Sequence, residues 1–251
     1  MLSGAIVPHA PLLTIGANSD GIPEVMATIR SALEGVRSIP SDVVILVGPH
    51  GPTTGVYRTP AGSLAGFGAP GMHAGAARSE VSTTLAEAWG VPEIDGSDHG
   101  VIVPLLLDAL PPVPIVACTL ADWTGNSTGW GDEGDPDTSM ASAARLGEAI
   151  ASLAADGSVL VVASAHTSAA LSPRAPLTER EEGSRLDDRI LGALRGDPRG
   201  LLDISPSQWA AGGACGAGPL TLFGQLFGGR SCEVLAYEAP VGVGYLVARV
   251  P

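Results

Sequence analysis

Val44-Ile-Leu-Val-Gly-Pro-His-Gly51 is an apolar, strand-like run that stops at a Gly-Pro corner and presents a histidine just beyond it. Ile6-Val-Pro-His-Ala-Pro-Leu12 repeats the arrangement with His9. A strand ending at such a corner holds its last side chain on a rigid platform, at the edge where α/β sheets bind ligands. A third histidine, His99, sits in Asp98-His-Gly100, just before the apolar, helix-like run Val101–Leu107. The chain has only 5 histidines in 251 residues, so three in such settings form the main functional lead.

Working outward, short β-like runs alternate with helical patterns, which predicts a layered α/β fold. Strands are expected near Gly4–Val7, Val43–Val47, Val113–Ala117, Val159–Ala163, Cys232–Tyr237 and Val243–Val250. Helices are expected at Pro23–Val36, Glu80–Trp89, Ser139–Ala155, Thr178–Leu194 and Ala214–Leu226. Thr178-Glu-Arg-Glu181 matches a capping box, and Ser205-Pro-Ser-Gln208 follows the same logic with Pro206 at the first helical position. The last two strands are separated by Glu238-Ala-Pro-Val-Gly242 and can pair as a hairpin or lie as sheet neighbours. The expectation is one domain, residues 1–251, with a central mixed sheet flanked by helices and a site at the C-terminal ends of its strands.

Two stretches lack periodicity. Gly51–Gly75 is rich in Gly, Pro and Thr and is expected to hold a hairpin around Val56–Leu64. Asp122–Thr138 reads as a surface loop or, alternatively, a lid that lays Trp123 or Trp130 over a pocket.

Composition narrows the function. The formal charge is −13, from 26 acidic and 13 basic residues. Such a surface repels phosphate backbones and anionic lipid, so neither nucleic acid nor a membrane is an expected partner. All 13 basic residues are arginine. Without lysine there is no Schiff base, no P-loop lysine and no Ser-Lys dyad. No run reaches the roughly 18 to 20 apolar residues of a membrane span. The N-terminal segment reads as a first strand rather than a signal peptide. Cys118, Cys215 and Cys232 are odd in number and have no framework spacing, as expected of free thiols in a reducing compartment. The expectation is a cytoplasmic protein, with assembly into a homo-oligomer left open.

Two imidazoles and one further ligand around a divalent metal, with open positions left over, are the general plan for activating water or oxygen. His9 and His50 are the first candidates. Asp98 either orients the His99 ring or caps the following helix. His73, in Pro70-Gly-Met-His-Ala-Gly75, reads as a surface residue.

Pro8-His-Ala-Pro-Leu12, Gly48-Pro-His50, Asp98-His-Gly-Val-Ile-Val-Pro-Leu105 and Ala163-Ser-Ala-His-Thr-Ser-Ala-Ala-Leu171, in this order, resemble the catalytic chains of the class III extradiol ring-cleavage dioxygenases, and the related Memo-like proteins. The resemblance spans nearly the whole chain. It implies His9 and His50 as metal ligands and a third ligand at the start of a late helix. Gly212-Gly-Ala-Cys-Gly-Ala-Gly-Pro-Leu220 places Cys215 there, with a small buried cysteine as the alternative reading and Glu238 as the runner-up ligand. It further implies Fe(II) as cofactor, with Zn(II) or Cu as alternatives, and a small aromatic, catechol-like substrate with O2. His99 corresponds to a pocket histidine that contacts substrate or oxygen. The histidine that acts as acid and base after the fifth strand is replaced by Ala169, and His166 lies three residues earlier. Either His166 reaches the site from the other side of the turn, or the chemistry differs. A non-enzymatic or redox Memo-like protein and a zinc hydrolase are the rival readings.

Overall fold

A computed structural model describes residues 1–15, 22–51, 53–121 and 136–251. Its strands are β1 (Leu2–Val7), β2 (Val43–Gly48), β3 (Gly55–Tyr57), β4 (Ala61–Leu64), β5 (Ala69–Gly75), β6 (Glu93–Ile94), β7 (Ile115–Thr119), β8 (Val159–Ser164), β9 (Glu233–Glu238) and β10 (Tyr245–Val250). Its helices are α1 (Leu12–Ile15), α2 (Ile22–Arg37), α3 (Val81–Trp89), α4 (His99–Leu106), α5 (Pro136–Leu153), α6 (Glu181–Arg195), α7 (Pro206–Gly212) and α8 (Ala217–Phe227).

Eight strands form one sheet in the order β6-β3-β7-β2-β8-β1-β10-β9. The centre, β7-β2-β8-β1, is parallel, while β10 and β9 on one side and β3 on the other add antiparallel pairings. The expected mixed α/β architecture is therefore the one observed. Strand alternation divides the core in two. Ile6, Ile45, Val47, Val116 and Val161 face a layer that includes α5, α6 and α8. Ala5, Val7, Val44, Leu46 and Val162 face the opposite layer with α2, whose Met26, Ile29, Leu33 and Val36 recur at helical spacing. Each such side chain contributes roughly 1.5–3 kcal/mol on burial.

Three expectations need correction. Gly55–Tyr57 does not open a hairpin: Val56 and Tyr57 are fully buried, and the segment joins the main sheet beside β7. The hairpin of that region is β4–β5, which covers α4 through Leu64, Ile102 and Val103. Thr178 does not start a capping box. The Arg180 N–H donates to Ala170 O at 3.1 Å, which holds the chain extended until α6 begins at Glu181. Position 113 lies outside a strand that starts only after Pro114. By contrast, Ser205 and Gln208 do form the expected capping box, and β9 and β10 pair as a hairpin. The candidate lid tryptophans Trp123 and Trp130 lie outside the described residues. No helix among the described residues is long and apolar enough to cross a membrane.

Candidate metal centre

Three adjacent parallel strands each deliver a histidine two residues past their last residue. β1 ends at Val7 and is followed by His9; β2 ends at Gly48 and is followed by His50; β8 ends at Ser164 and is followed by His166. The register aligns Val7 with Ser164 and Val47 with Ala163, so the three strand ends are level. Because β8 lies between β1 and β2, their carboxyl ends converge on one patch of sheet edge. The fourth histidine, His99, opens α4. Its neighbour Asp98 is the N-cap and accepts from the Gly100 N–H at 2.5 Å, which settles the role left open for that carboxylate.

Cys215 arrives from the other direction, in the turn before α8, where Ala214 bridges antiparallel to Ser168. Gly216 makes that approach feasible: a Cβ there would lie 2.6 Å from the Ala165 Cβ and 2.8 Å from His166 O. The Cys215 Sγ is 3.3 Å from His9 Nε2 and 3.1 Å from His166 Nε2. It is also 3.6 Å from His166 Nδ1, so the sulfur sits against the flank of that ring rather than at the end of one nitrogen's lone pair.

The ligand atoms of His9, His50 and Cys215 all lie within 4.8 Å of one another. Two details fit this set to a cation. The Ser164 hydroxyl donates its proton to Gly100 O at 2.5 Å, so its contact with His9 Nδ1 at 3.3 Å must be accepted from the ring. That fixes the proton on Nδ1 and leaves Nε2 bare, facing Cys215. His50 Nε2 is buried and has no hydrogen-bond partner among the described residues. A buried orphan of that kind costs about 1–3 kcal/mol and calls for a ligand. The backbone around it is pinned, since His50 O accepts from Thr119 Oγ1 at 2.6 Å. The buried cluster can therefore hold a metal ion.

Electrostatics favour the same state. Burial, and then the neighbouring imidazoles, hold His9 and His50 well below the usual histidine range. Burial pushes His99 and His166 down to about 4. All four rings are thus neutral near pH 7, the form that ligates metals. Burial pushes the Cys215 thiol up, so without a cation it keeps its proton.

Around this core, the rings form a continuous file. His50 stacks on His99 at 4.4 Å, and His99 meets the edge of Phe67 at 4.9 Å. Phe67 is 42% exposed at the tip of the β4–β5 hairpin. His166 lies 4.6 Å from His9, so it does reach the site. Glu238, at the end of β9, is not part of the donor cluster. His73 lies on β5, part of the outer hairpin, and Cys118 is a core residue of β7. Sequence reasoning overlooked Phe67 and Ser164. Phe67 carries a usable signal, an aromatic between Gly66 and Gly68; Ser164 carries none, since its role depends on two distant backbones.

No protein-family model matches the chain, and no curated protein matches it in sequence. A solved structure described as that of an uncharacterized protein, JW3007, from Escherichia coli K12 is similar over 100% of both chains, with a TM-score of 0.65 and 17% identity. That likeness supports the fold.

Proposed function

We propose that this protein is a metal-dependent, dioxygenase-like protein of the class III extradiol type, with Fe(II) held by His9, His50 and Cys215. The observation that carries the reading is the convergence of two neutral imidazoles and one thiol at the ends of parallel strands, with His99 and His166 beside them. Bound Fe(II) would supply the redox chemistry that lets an aromatic diol react with O2.

The residues divide the remaining work. His166 Nδ1 lies 3.4 Å from Thr167 O, which favours a proton on Nδ1 and leaves Nε2 free to take the proton of a substrate hydroxyl. Burial disfavours the resulting imidazolium, so the proton is readily returned later. His99 and the exposed Phe67 beside it offer aromatic surface to a planar ring. His9 is 0% exposed, so its ring nitrogen is held away from bulk water. The test is oxygen uptake by protein loaded anaerobically with Fe(II), against a panel of catechols. Uptake lost in His9→Ala and His50→Ala supports the reading.

A second reading is a non-enzymatic or redox metal-binding protein of the Memo-like kind. Ala169 favours it, because this position lies within the apolar cluster near Leu177 and offers no proton acceptor. If metal binds while neither the wild type nor Ala169→His consumes oxygen with any catechol, ring cleavage is excluded and the second reading stands.

A further inference from the structure

The buried stripe of α6 contains one residue that does not belong to it. Leu186, Ile190, Leu191 and Leu194 are buried along this helix, and Asp187 shares their face at 3% exposure. A carboxylate on an apolar stripe is costly unless its oxygens are satisfied. Three donors converge on it. Thr167 Oγ1 donates to Oδ2 at 2.6 Å, the Ser168 N–H donates to Oδ1 at 2.7 Å, and the Tyr237 hydroxyl of β9 also donates to Oδ2. None of these donors is charged.

The segment so held, Thr167–Ser168, directly follows His166. It also holds Cys215. Ser168 Oγ donates to Gly212 O at 2.6 Å, the Ala169 N–H donates to Gly213 O at 3.1 Å, and Ser168 bridges Ala214. One short stretch of backbone thus joins the strand end that presents His166 to the turn that presents Cys215. The surroundings are built for close approach. A Cβ on Gly183, one helical turn before Asp187, would come within 2.7 Å of Ser168 Oγ. A Cβ on Gly244 would collide with both the Thr167 hydroxyl and the Asp187 carboxylate.

We infer that Asp187 is a positioning residue for the metal centre: by anchoring Thr167 and Ser168 it sets the His166 ring and the Cys215 sulfur against each other. This rests on the metal-site reading. Asparagine at 187 keeps the shape but has one acceptor oxygen, so it cannot satisfy donors on both sides of the group.

The test uses Co(II) as the probe, because a thiolate ligand gives it a sulfur-to-metal charge-transfer band. Asp187→Asn, at a temperature where circular dichroism shows it folded, is expected to bind Co(II) at least tenfold more weakly and to shift or weaken that band. Tyr237→Phe, which removes one donor, is expected to show a smaller change in the same direction and decides the matter if Asp187→Asn does not fold. Asp197→Asn serves as the control. It alters a carboxylate that accepts from the Gly229 and Arg199 N–H groups, away from the site, and should leave the Co(II) spectrum at wild type. Wild-type affinity and band in Asp187→Asn, despite a lower melting temperature, would overturn the inference. If the wild type shows no thiolate band at all, the metal-site reading fails instead. The ring 15N shifts of His166 in the metal-free protein then decide the clamp: a change in Asp187→Asn supports it and unchanged shifts overturn it.

Discussion

His9 Nε2 and Cys215 Sγ lie 3.3 Å apart, although 206 residues separate them in the chain. Neither is close to the other by local structure. One stands at the end of the first strand, the other in a glycine-rich turn near the end of the chain, and the sheet brings them together. Because the Ser164 contact places the His9 proton on Nδ1, the nitrogen facing the sulfur is a bare acceptor.

Replacing His50 separates metal binding from stability. His50→Ala relieves the cost of a buried nitrogen without a partner among the described residues but also loses the ring's stacking on His99. The two offset each other, so the metal-free fold should change by no more than about 1 kcal/mol in either direction. Metal affinity should fall at least a hundredfold. Chemical denaturation with and without metal, together with competition titrations, measures both.

Metal uptake should release about one proton. The four imidazoles are already neutral near pH 7, whereas the Cys215 thiol is protonated and must lose its proton to ligate. Calorimetric titration in buffers of different ionisation enthalpy reads that proton directly, and affinity should rise with pH across the neutral range. Cys215→Ala should release none.

Asp98 makes the metal-free protein sensitive to pH. Burial raises its carboxyl to about 6, against hydrogen bonds from Tyr57 and the Gly100 N–H that pull it down. A raised carboxyl favours the folded state below the unfolded value of about 3.9, and that advantage is lost as pH rises through about 6. Asp98→Asn cannot titrate and still caps α4. Relative to this variant, the wild type should lose stability between about pH 4 and pH 7, by on the order of 3 kcal/mol. Urea unfolding at several pH values checks it, and a constant difference would contradict it.

Phe67 should matter for an aromatic ligand and not for the metal. Phe67→Ala removes the ring that meets His99 from the solvent side. The expected result is 4-nitrocatechol binding weakened roughly threefold to tenfold, on the scale of one aromatic contact, with unchanged metal affinity. Equal binding by variant and wild type would exclude this residue from the substrate wall.

Much of this was legible in the chain. The runs ending at Pro8 and Pro49 mark their strands and their histidines, because an apolar run with a rigid corner leaves little choice of local structure. His166 was legible as a candidate catalytic residue, but whether it reaches the site was not. Its place depends on β8 lying between β1 and β2, a long-range fact. Asp187 broke the apolar stripe of α6, a signal available in sequence; its three donors were not, since they come from β9 and from the turn after β8. The misread start of α6 has the same origin. A capping-box pattern at Thr178 lost to a backbone pairing between Arg180 and Ala170 that no local rule contains.

Crystals grown anaerobically with Fe(II), with data collected on both sides of the iron edge, address the metal centre most directly. An anomalous peak within ligand distance of His9 Nε2, His50 Nε2 and Cys215 Sγ, absent in His9→Ala, is the expected result. A map with no iron peak among these three atoms, from protein that has taken up the metal elsewhere or not at all, would contradict it.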